Sequence, residues 1–289
     1  MDKATETVNV VEIRGEGKEP YVFTDLAKTF KDVLTGMGVN ATHVVSTIPS
    51  DGINIVLGWN SDWVRKNKRK LSPKRTILFN AEQLGSESSL VGSDYVGTML
   101  DYVIADYSFL NKETLVGYGK DEDSIVILPI VPTDSIKYKV APATEGTHDI
   151  VFFGSSNERR NQLLDKMRDE GLSVGHVGGF SQNLAPYIKA AKIVLHAHYY
   201  STNMFPAIRF LQPLAYGIPI VCERSVLPRD QDWDKSGIVF ADYDDIPEAC
   251  KEILANPSAQ KNTKIKYRKF LNSIDVVTPW TTLLEEIRK

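Results

Sequence analysis

The chain has 289 residues, enough for one large domain or two of ordinary size, and its 42% apolar and 25% charged residues are those of a globular protein. A net charge of −3 gives no global basic footprint for nucleic acid, and no stretch approaches the roughly 18–20 consecutive apolar residues that cross a bilayer. The N-terminal sequence has no apolar h-region, so the expected location is cytoplasmic, and Cys222 and Cys250, without CxxC spacing, read as buried reduced thiols.

In chain order, residues 8–13 read as a strand. Residues 23–37 carry Leu26, Phe30, Val33, Leu34 and Met37 at helical spacing, with Thr24 as the expected N-cap and Gly38 near the stop. Short apolar runs at 42–46, 53–58, 76–80, 103–106 and 125–129 follow as strands. Strands interleaved with helices predict a parallel α/β sheet.

Between two of these strands lies WVRKNKRKLSPKRT, with Arg65, Lys66, Lys68, Arg69, Lys70, Lys74 and Arg75. One reading is a solvated helix end and turn. The other is a local basic patch that draws an anionic acceptor, which makes Arg65 and Arg69 acceptor-side candidates. The strand at 76–80 delivers Asn80, Glu82 and Gln83 to its carboxyl end, where ligand sites of α/β sheets form. A carboxylate there is a candidate general base; the alternative is a first-turn residue that favours a helix dipole. Asp106-Tyr107-Ser108 ends the next strand, either adding polar contacts or capping a helix at 109–115.

A polar, proline-punctuated stretch at 140–148 reads as the linker. The expected domains are therefore 1–143 and 144–289, with the last helix able to pack back on the first. The second half restarts with a strand at 149–153, the turn Gly154-Ser155-Ser156-Asn157, and a helix opened by Glu158-Arg159-Arg160. A strand, a small-residue turn and a helix N-terminus favour an anion, and two arginines in the first turn oppose the dipole unless something negative arrives. The motif lacks the GxxxxGK[ST] of a P-loop. Gly178-Gly179 follows the next short strand; it either lets a ligand approach the backbone or is a plain turn. The stretch from Ala191 to Glu223 reads as strand, polar loop, a helix at 205–216, the Gly217 stop and a second apolar strand. Its loop, His196-Ala197-His198-Tyr199-Tyr200-Ser201-Thr202-Asn203, suits a hydroxyl-rich ligand. Two histidines without a third ligand nearby do not make a metal site. Arg209, on an otherwise apolar helix, needs a partner, and an anionic ligand is one. Glu223 ends its strand placed to accept from ribose or sugar hydroxyls, or to pair with Arg224.

Two α/β domains, a linker and the segment LAYGIPIV (214–221) resemble the GT-B glycosyltransferases: two Rossmann-like domains facing a cleft. More narrowly, ILFNAEQL (77–84), DYVIADYS (101–108), IVFFGSSNERR (150–160) and VLHAHYY (194–200), with Arg209 and Glu223, are similar to bacterial and phage glycosyltransferase-family proteins found with capsule, lipopolysaccharide and spore-coat genes. That resemblance implies a nucleotide-sugar donor, UDP-linked by preference, on the C-terminal domain and an acceptor on the N-terminal one. Gly154, Ser155, Arg159 and Arg160 would face the diphosphate. Gly178, Gly179, His198, Tyr199, Tyr200, Arg209 and Glu223 would complete the donor pocket. Glu82 would be the base and Arg160 the stabiliser of the leaving group. No obligatory metal or other cofactor is implied. The acceptor would be a glycan or glycolipid, or alternatively a hydroxymethylated base in phage DNA, which places a phage protein in its host's cytoplasm. The chain departs from the wider group's Glu-x7-Glu, having Met204 and Gln212 there, and has Pro206 where the narrower family carries a Glu. A non-catalytic nucleotide-binding module on the same two-lobed plan is the competing class.

Overall fold

The computed structural model describes residues 6–14, 21–86, 92–229 and 231–289. Two compact units divide the chain: Met1–Ser135 with Asp275–Lys289, and Ile136–Ile274. The crossing point precedes the expected boundary at 143/144. The segment between belongs with the second unit because its backbone is tied there. Tyr138 N–H donates to the Tyr216 hydroxyl, the Lys189 ammonium takes the Tyr138 and Val140 carbonyls, and Ala143 N–H donates to Pro186 O.

The first unit runs β1 (Val8–Glu12), α1 (Thr24–Gly36), β2 (Ala41–Val45), β3 (Ile53–Leu57), α2 (Ser61–Asn67), β4 (Thr76–Phe79), α3 (Ser93–Leu100), β5 (Val103–Asp106), α4 (Phe109–Gly117) and β6 (Ile125–Ile127). All pairings are parallel, in the order β2-β1-β3-β4-β5-β6. Every residue of β1, β3 and β4 is buried, as expected of strands covered on both faces. On one face Val11, Val56, Leu78, Ile104 and Ile125 pack with Val64, Tyr95, Val96, Met99 and Leu115 from α2, α3 and α4. On the other, Phe30 of α1 meets Phe79 at 5.1 Å and Trp280 at 4.8 Å, both edge-on. Trp280 lies on α10 (Val277–Glu286), which the chain sends back to this unit. Thr24 does not cap α1: its hydroxyl is drawn to the buried Glu12 carboxylate at 2.5 Å, and the cap position is Phe23.

The second unit runs β7 (Ile150–Phe153), α5 (Glu158–Asp169), β8 (Val174–Val177), α6 (Ala185–Ala190), β9 (Ile193–His196), α7 (Leu211–Tyr216), β10 (Ile220–Glu223), β11 (Val239–Ala241), α8 (Ile246–Leu254) and α9 (Pro257–Leu271). Its sheet is parallel, in the order β11-β10-β9-β7-β8. Helices α5 and α8 cover one face and α6 and α7 the other. Both sheets are therefore doubly wound, Rossmann-like layers. The expected helix at 205–216 is shorter than the apolar pattern implied. Proline at 206 keeps the preceding residue extended, Met204 bridges to Val226, and α7 begins at Leu211 after a tight 207–210 turn. That start puts Pro213 in the first helical turn, where its missing N–H costs nothing. Cys222 and Cys250 are buried free thiols, and burial pushes both up to about 12.

Candidate functional site

In an open parallel sheet the ligand crevice lies outside the carboxyl ends of the strands where the winding reverses. In the second unit that point falls between β7 and β9, since β8 is laid on one side of β7 and β9 on the other. Gly154, Ser155, Gly178, Gly179, His198, Tyr199, Tyr200 and Glu223 all follow the carboxyl ends of β7, β8, β9 and β10 or close them. The fold thus brings these expected donor-side residues to one edge of one sheet.

The loops after β7 and β9 are laced together. Three successive carbonyls, Ala197, His198 and Tyr199, accept from three residues of the α5 start. Arg160 Nε and Nη2 donate to Ala197 O at 2.9 and 2.6 Å, Arg159 Nη1 to His198 O at 3.3 Å, and Asn157 Nδ2 to Tyr199 O at 3.2 Å. Asn157 also caps α5 by accepting from Arg160 N–H at 2.9 Å.

This lacing changes what two of the arginines do. Arg160 was expected to meet the diphosphate and the leaving group; it is 2% exposed and gives its guanidinium to Ala197 O and, at 2.6 Å, to Ser155 O. The Phe152 and Tyr199 rings lie 5.2 and 5.1 Å from its Cζ. Arg159 is committed to Glu223, with Nη1 to Oε2 at 2.9 Å and Nη2 to Oε1 at 2.5 Å, and stands 3.9 Å over the Tyr243 ring. Glu223 in turn accepts the His198 N–H at 2.7 Å. Its carboxylate is therefore engaged by protein partners from the α5 start and the loop after β9. The pairing is with Arg159 and not Arg224, which goes to Asp242. Burial opposes ionisation of Glu223, but Arg159 and the His198 amide outweigh it and hold the carboxyl below its usual range.

Arg209 is the arginine that reaches the β7 turn. Its Nη1 donates to Phe153 O at 3.1 Å, and it passes the turn where Gly154 has φ +111. A Cβ at Gly154 would collide with Nη1 and stand 2.9 Å from Cζ, so the close approach requires glycine. Burial, and then the charge of Arg209, lower Arg160 to about 9. The Arg209 charge is felt at Arg160, and every hydrogen-bond partner of Arg160 is a neutral carbonyl. His196 and His198 add no charge. Burial first, then neighbouring cations, hold His196 well below its ordinary value, and burial lowers His198 despite Glu223. His198 Nε2 faces Arg224 O at 3.2 Å, which fixes its proton there in the neutral ring. The edge therefore carries the charges of Arg160 and Arg209 beside a helix N-terminus, an arrangement that attracts an anion. Met204 and Gln212, at the positions of the wider group's glutamates, are buried, and Gln212 Nε2 donates to Ser181 O at 2.7 Å.

In the first unit, Asn80, Glu82 and Gln83 leave the carboxyl end of β4. Asn80 is fully buried and used up in structure: Nδ2 donates to Asp106 Oδ2 at 2.7 Å and Glu82 O at 3.1 Å, and Oδ1 accepts from Tyr95 OH and Glu82 N–H. The half-buried Glu82 carboxylate takes no hydrogen bond among the described residues, and desolvation alone raises its pKa. Desolvation of this kind favours the neutral, protonated form of the carboxyl.

The basic run is split by the fold. Arg65, on α2, is exposed and paired with Asp62 and, at 3.1 Å, with Asp94. Arg69 and its neighbours lie after α2, in the turn that enters β4, at the amino edge of the sheet. Arg75 O accepts from Asn54 N–H and its guanidinium reaches Ser50 O, both beside the start of β3. The four-residue β4 therefore separates Arg69 from Glu82 by about 13 Å of strand. Arg69 is not on the edge that carries Glu82. Sequence reasoning missed Asn111 and Tyr243, which carried no motif, and left the role of Asp106 open.

No family model matches the chain. It is similar to the uncharacterised protein L137 of Acanthamoeba polyphaga mimivirus, 25% identical over 214 residues, covering 70% of this chain and 27% of that protein. It is also similar to protein R358 of the same virus, 26% identical and covering 66% of each. The chain thus spans about a quarter of the length of L137 and about two thirds of R358. Among solved structures it superposes on an alpha-glucosyltransferase in complex with UDP-glucose and DNA containing an abasic site (TM-score 0.60, 13% identity, 98% of this chain and 100% of that one). It likewise matches a UDP-forming alpha,alpha-trehalose-phosphate synthase from Burkholderia vietnamiensis (0.60, 11%, all of both chains). WaaG, a glycosyltransferase involved in lipopolysaccharide biosynthesis, gives 0.58 at 11% identity over 96% and 98%. The chain has the GT-B fold of these glycosyltransferases. No helix among the described residues is long and apolar enough to cross a membrane.

Proposed function

We propose that the chain is a glycosyltransferase that moves a sugar from a UDP-sugar to a hydroxyl of a glycan or glycolipid. The observation that carries this reading is Arg209 Nη1 on the Phe153 carbonyl at the β7–α5 turn, with the buried Arg160 guanidinium behind the same turn on Ser155 O and Ala197 O. The mutual repulsion of the two arginines is relieved when a dianion binds. A diphosphate fits that charge, with Arg209 and the α5 N-terminus as its contacts and Arg160 supplying field from behind the loop. The acceptor oxygen forms the new bond to the anomeric carbon. The bond to the diphosphate breaks and its electron pair stays on the phosphate oxygen, where the arginines stabilise it. The acceptor's proton passes to Glu82, whose desolvated carboxylate has a raised affinity for it. In this proposal the arginines, and not a metal, take up the charge of the leaving group.

The test is release of UDP and appearance of glycosylated product with mixed UDP-sugars, comparing wild type with Arg209→Ala and Glu82→Gln. Loss of turnover in both supports the reading; wild-type turnover in both removes it.

A hydroxymethylated DNA base is the second acceptor reading. It is favoured by the whole-chain likeness to the alpha-glucosyltransferase solved with DNA. Against it stand the net charge of −3 and the placement of Arg69 away from Glu82. Binding to duplex DNA that falls steeply with salt supports it, and no binding ends it.

A further inference from the structure

Asp106 closes β5 one strand over from Glu82 and is fully buried. Four donors converge on its carboxylate. Asn80 Nδ2 meets Oδ2 at 2.7 Å; Asn111 Nδ2, Tyr107 N–H and Ser108 N–H meet Oδ1 at 2.9, 2.7 and 2.9 Å. The same two asparagines then hold the loop that carries Glu82. Asn80 Nδ2 and Asn111 Nδ2 both donate to the Glu82 carbonyl, at 3.1 and 2.9 Å. Asn80 Oδ1 accepts the Glu82 N–H at 3.0 Å, and Asn111 Oδ1 accepts the Leu84 N–H at 2.8 Å. Tyr95 OH, on α3, completes Asn80 at 2.9 Å. Peptide groups from 82 to 84 are thus hung at three points from two amide side chains, and one carboxylate sets how both amides face.

We propose that Asp106 is a positioning residue that, through Asn80 and Asn111, fixes the backbone from which the Glu82 carboxylate projects. This rests on Glu82 as the acceptor-side base. Orientation of that kind is worth large factors in rate, since a reacting group displaced by an ångström loses about a hundredfold. The ionised aspartate suits the hub because it only accepts, and all four of its partners donate. Asparagine in its place would set an N–H against Asn80 Nδ2, and turning the Asn80 amide to escape would break its bonds to Glu82 N–H and Tyr95 OH.

The experiment is hydrogen exchange by mass spectrometry on the full chain, wild type against Asp106→Asn and Asn111→Ala, together with kinetics of both in a Glu82→Gln background. The expected result is exchange about tenfold faster in peptides spanning 82–84, with β1 and β3 unchanged. Turnover of Asp106→Asn should fall by about a hundredfold while UDP-dependent thermal stabilisation is kept. Added to Glu82→Gln, it should cost less than about twofold more, because the group it positions is already gone. Exchange that rises evenly through the first unit, or not at all at 82–84, overturns the proposal in whichever variant folds. Glu82→Gln with wild-type turnover instead removes the base assignment, and the exchange result still decides the suspension.

Discussion

Arg159 and Glu223, 64 residues apart in sequence, meet on two parallel hydrogen bonds at the carboxyl edge of the second sheet. The two sides of this pair are unequal: the Glu223 side chain is 8% exposed and that of Arg159 is 41%. Removing Arg159 strands a buried carboxylate, whereas removing Glu223 leaves an arginine that turns to water and one amide, the His198 N–H, without its acceptor. Arg159→Ala should therefore cost about 2–3 kcal/mol and Glu223→Ala about 1 kcal/mol. Urea unfolding of both variants checks the order; a larger loss for Glu223→Ala contradicts it.

Gly154→Ala places a methyl in the path of Arg209 at a backbone φ of +111. The chain should fold, with about 1–2 kcal/mol lost to strain. Under the proposed reading, UDP-dependent stabilisation should nearly vanish, because the guanidinium is pushed off the turn. Thermal shift with and without UDP measures both effects at once, and an unchanged UDP shift argues that Arg209 does not serve the diphosphate.

The buried carboxyl of Asp106 gives a signed dependence on pH. Burial, against its four donors, raises it to about 7, above the ordinary carboxyl value of about 4. Between those values the folded chain holds a proton that the unfolded chain has released. This contribution to stability is fully present below about pH 4 and is lost as pH rises through about 7. Asp106→Asn lacks it, so the stability gap between wild type and variant should narrow from pH 5 to pH 8. Glu12, whose carboxyl is held low by His43, Arg14 and Thr24 against its burial, acts with the opposite sign at acid pH and cancels in the difference. A gap that widens with pH contradicts the assignment.

Reversing the charge of Lys68, Arg69, Lys70 and Lys74 together should leave donor and acceptor KM within about twofold. They sit in the turn leading into β4, at the amino edge of the sheet, away from Glu82. A large rise in acceptor KM would return this run to the acceptor site.

Much of the fold was legible because buried parallel strands write themselves as short apolar runs. β3, β4, β5, β7 and β9 lie where Ile, Val and Leu cluster between turn residues. The donor edge followed, since residues just past such strands must gather at the carboxyl end. Helix α3 was passed over, although Tyr95, Val96 and Met99 have helical spacing. What the residues could not disclose was commitment. Arg159 and Arg160 look alike in sequence, yet one is spent on Glu223 and the other on Ala197 O, because those partners arrive from strands far along the chain. Asn111 carried no signal, since a helical asparagine becomes a hub only when Asp106 and the 82–84 peptides are folded against it.

A diphosphate seat at the β7–α5 turn is tested most directly by calorimetric titration with UDP and with uridine. The predicted result is UDP binding at least about a hundredfold tighter than uridine, with most of that margin gone in Arg209→Ala. Equal affinity for the two ligands, or a margin that survives Arg209→Ala, would contradict it.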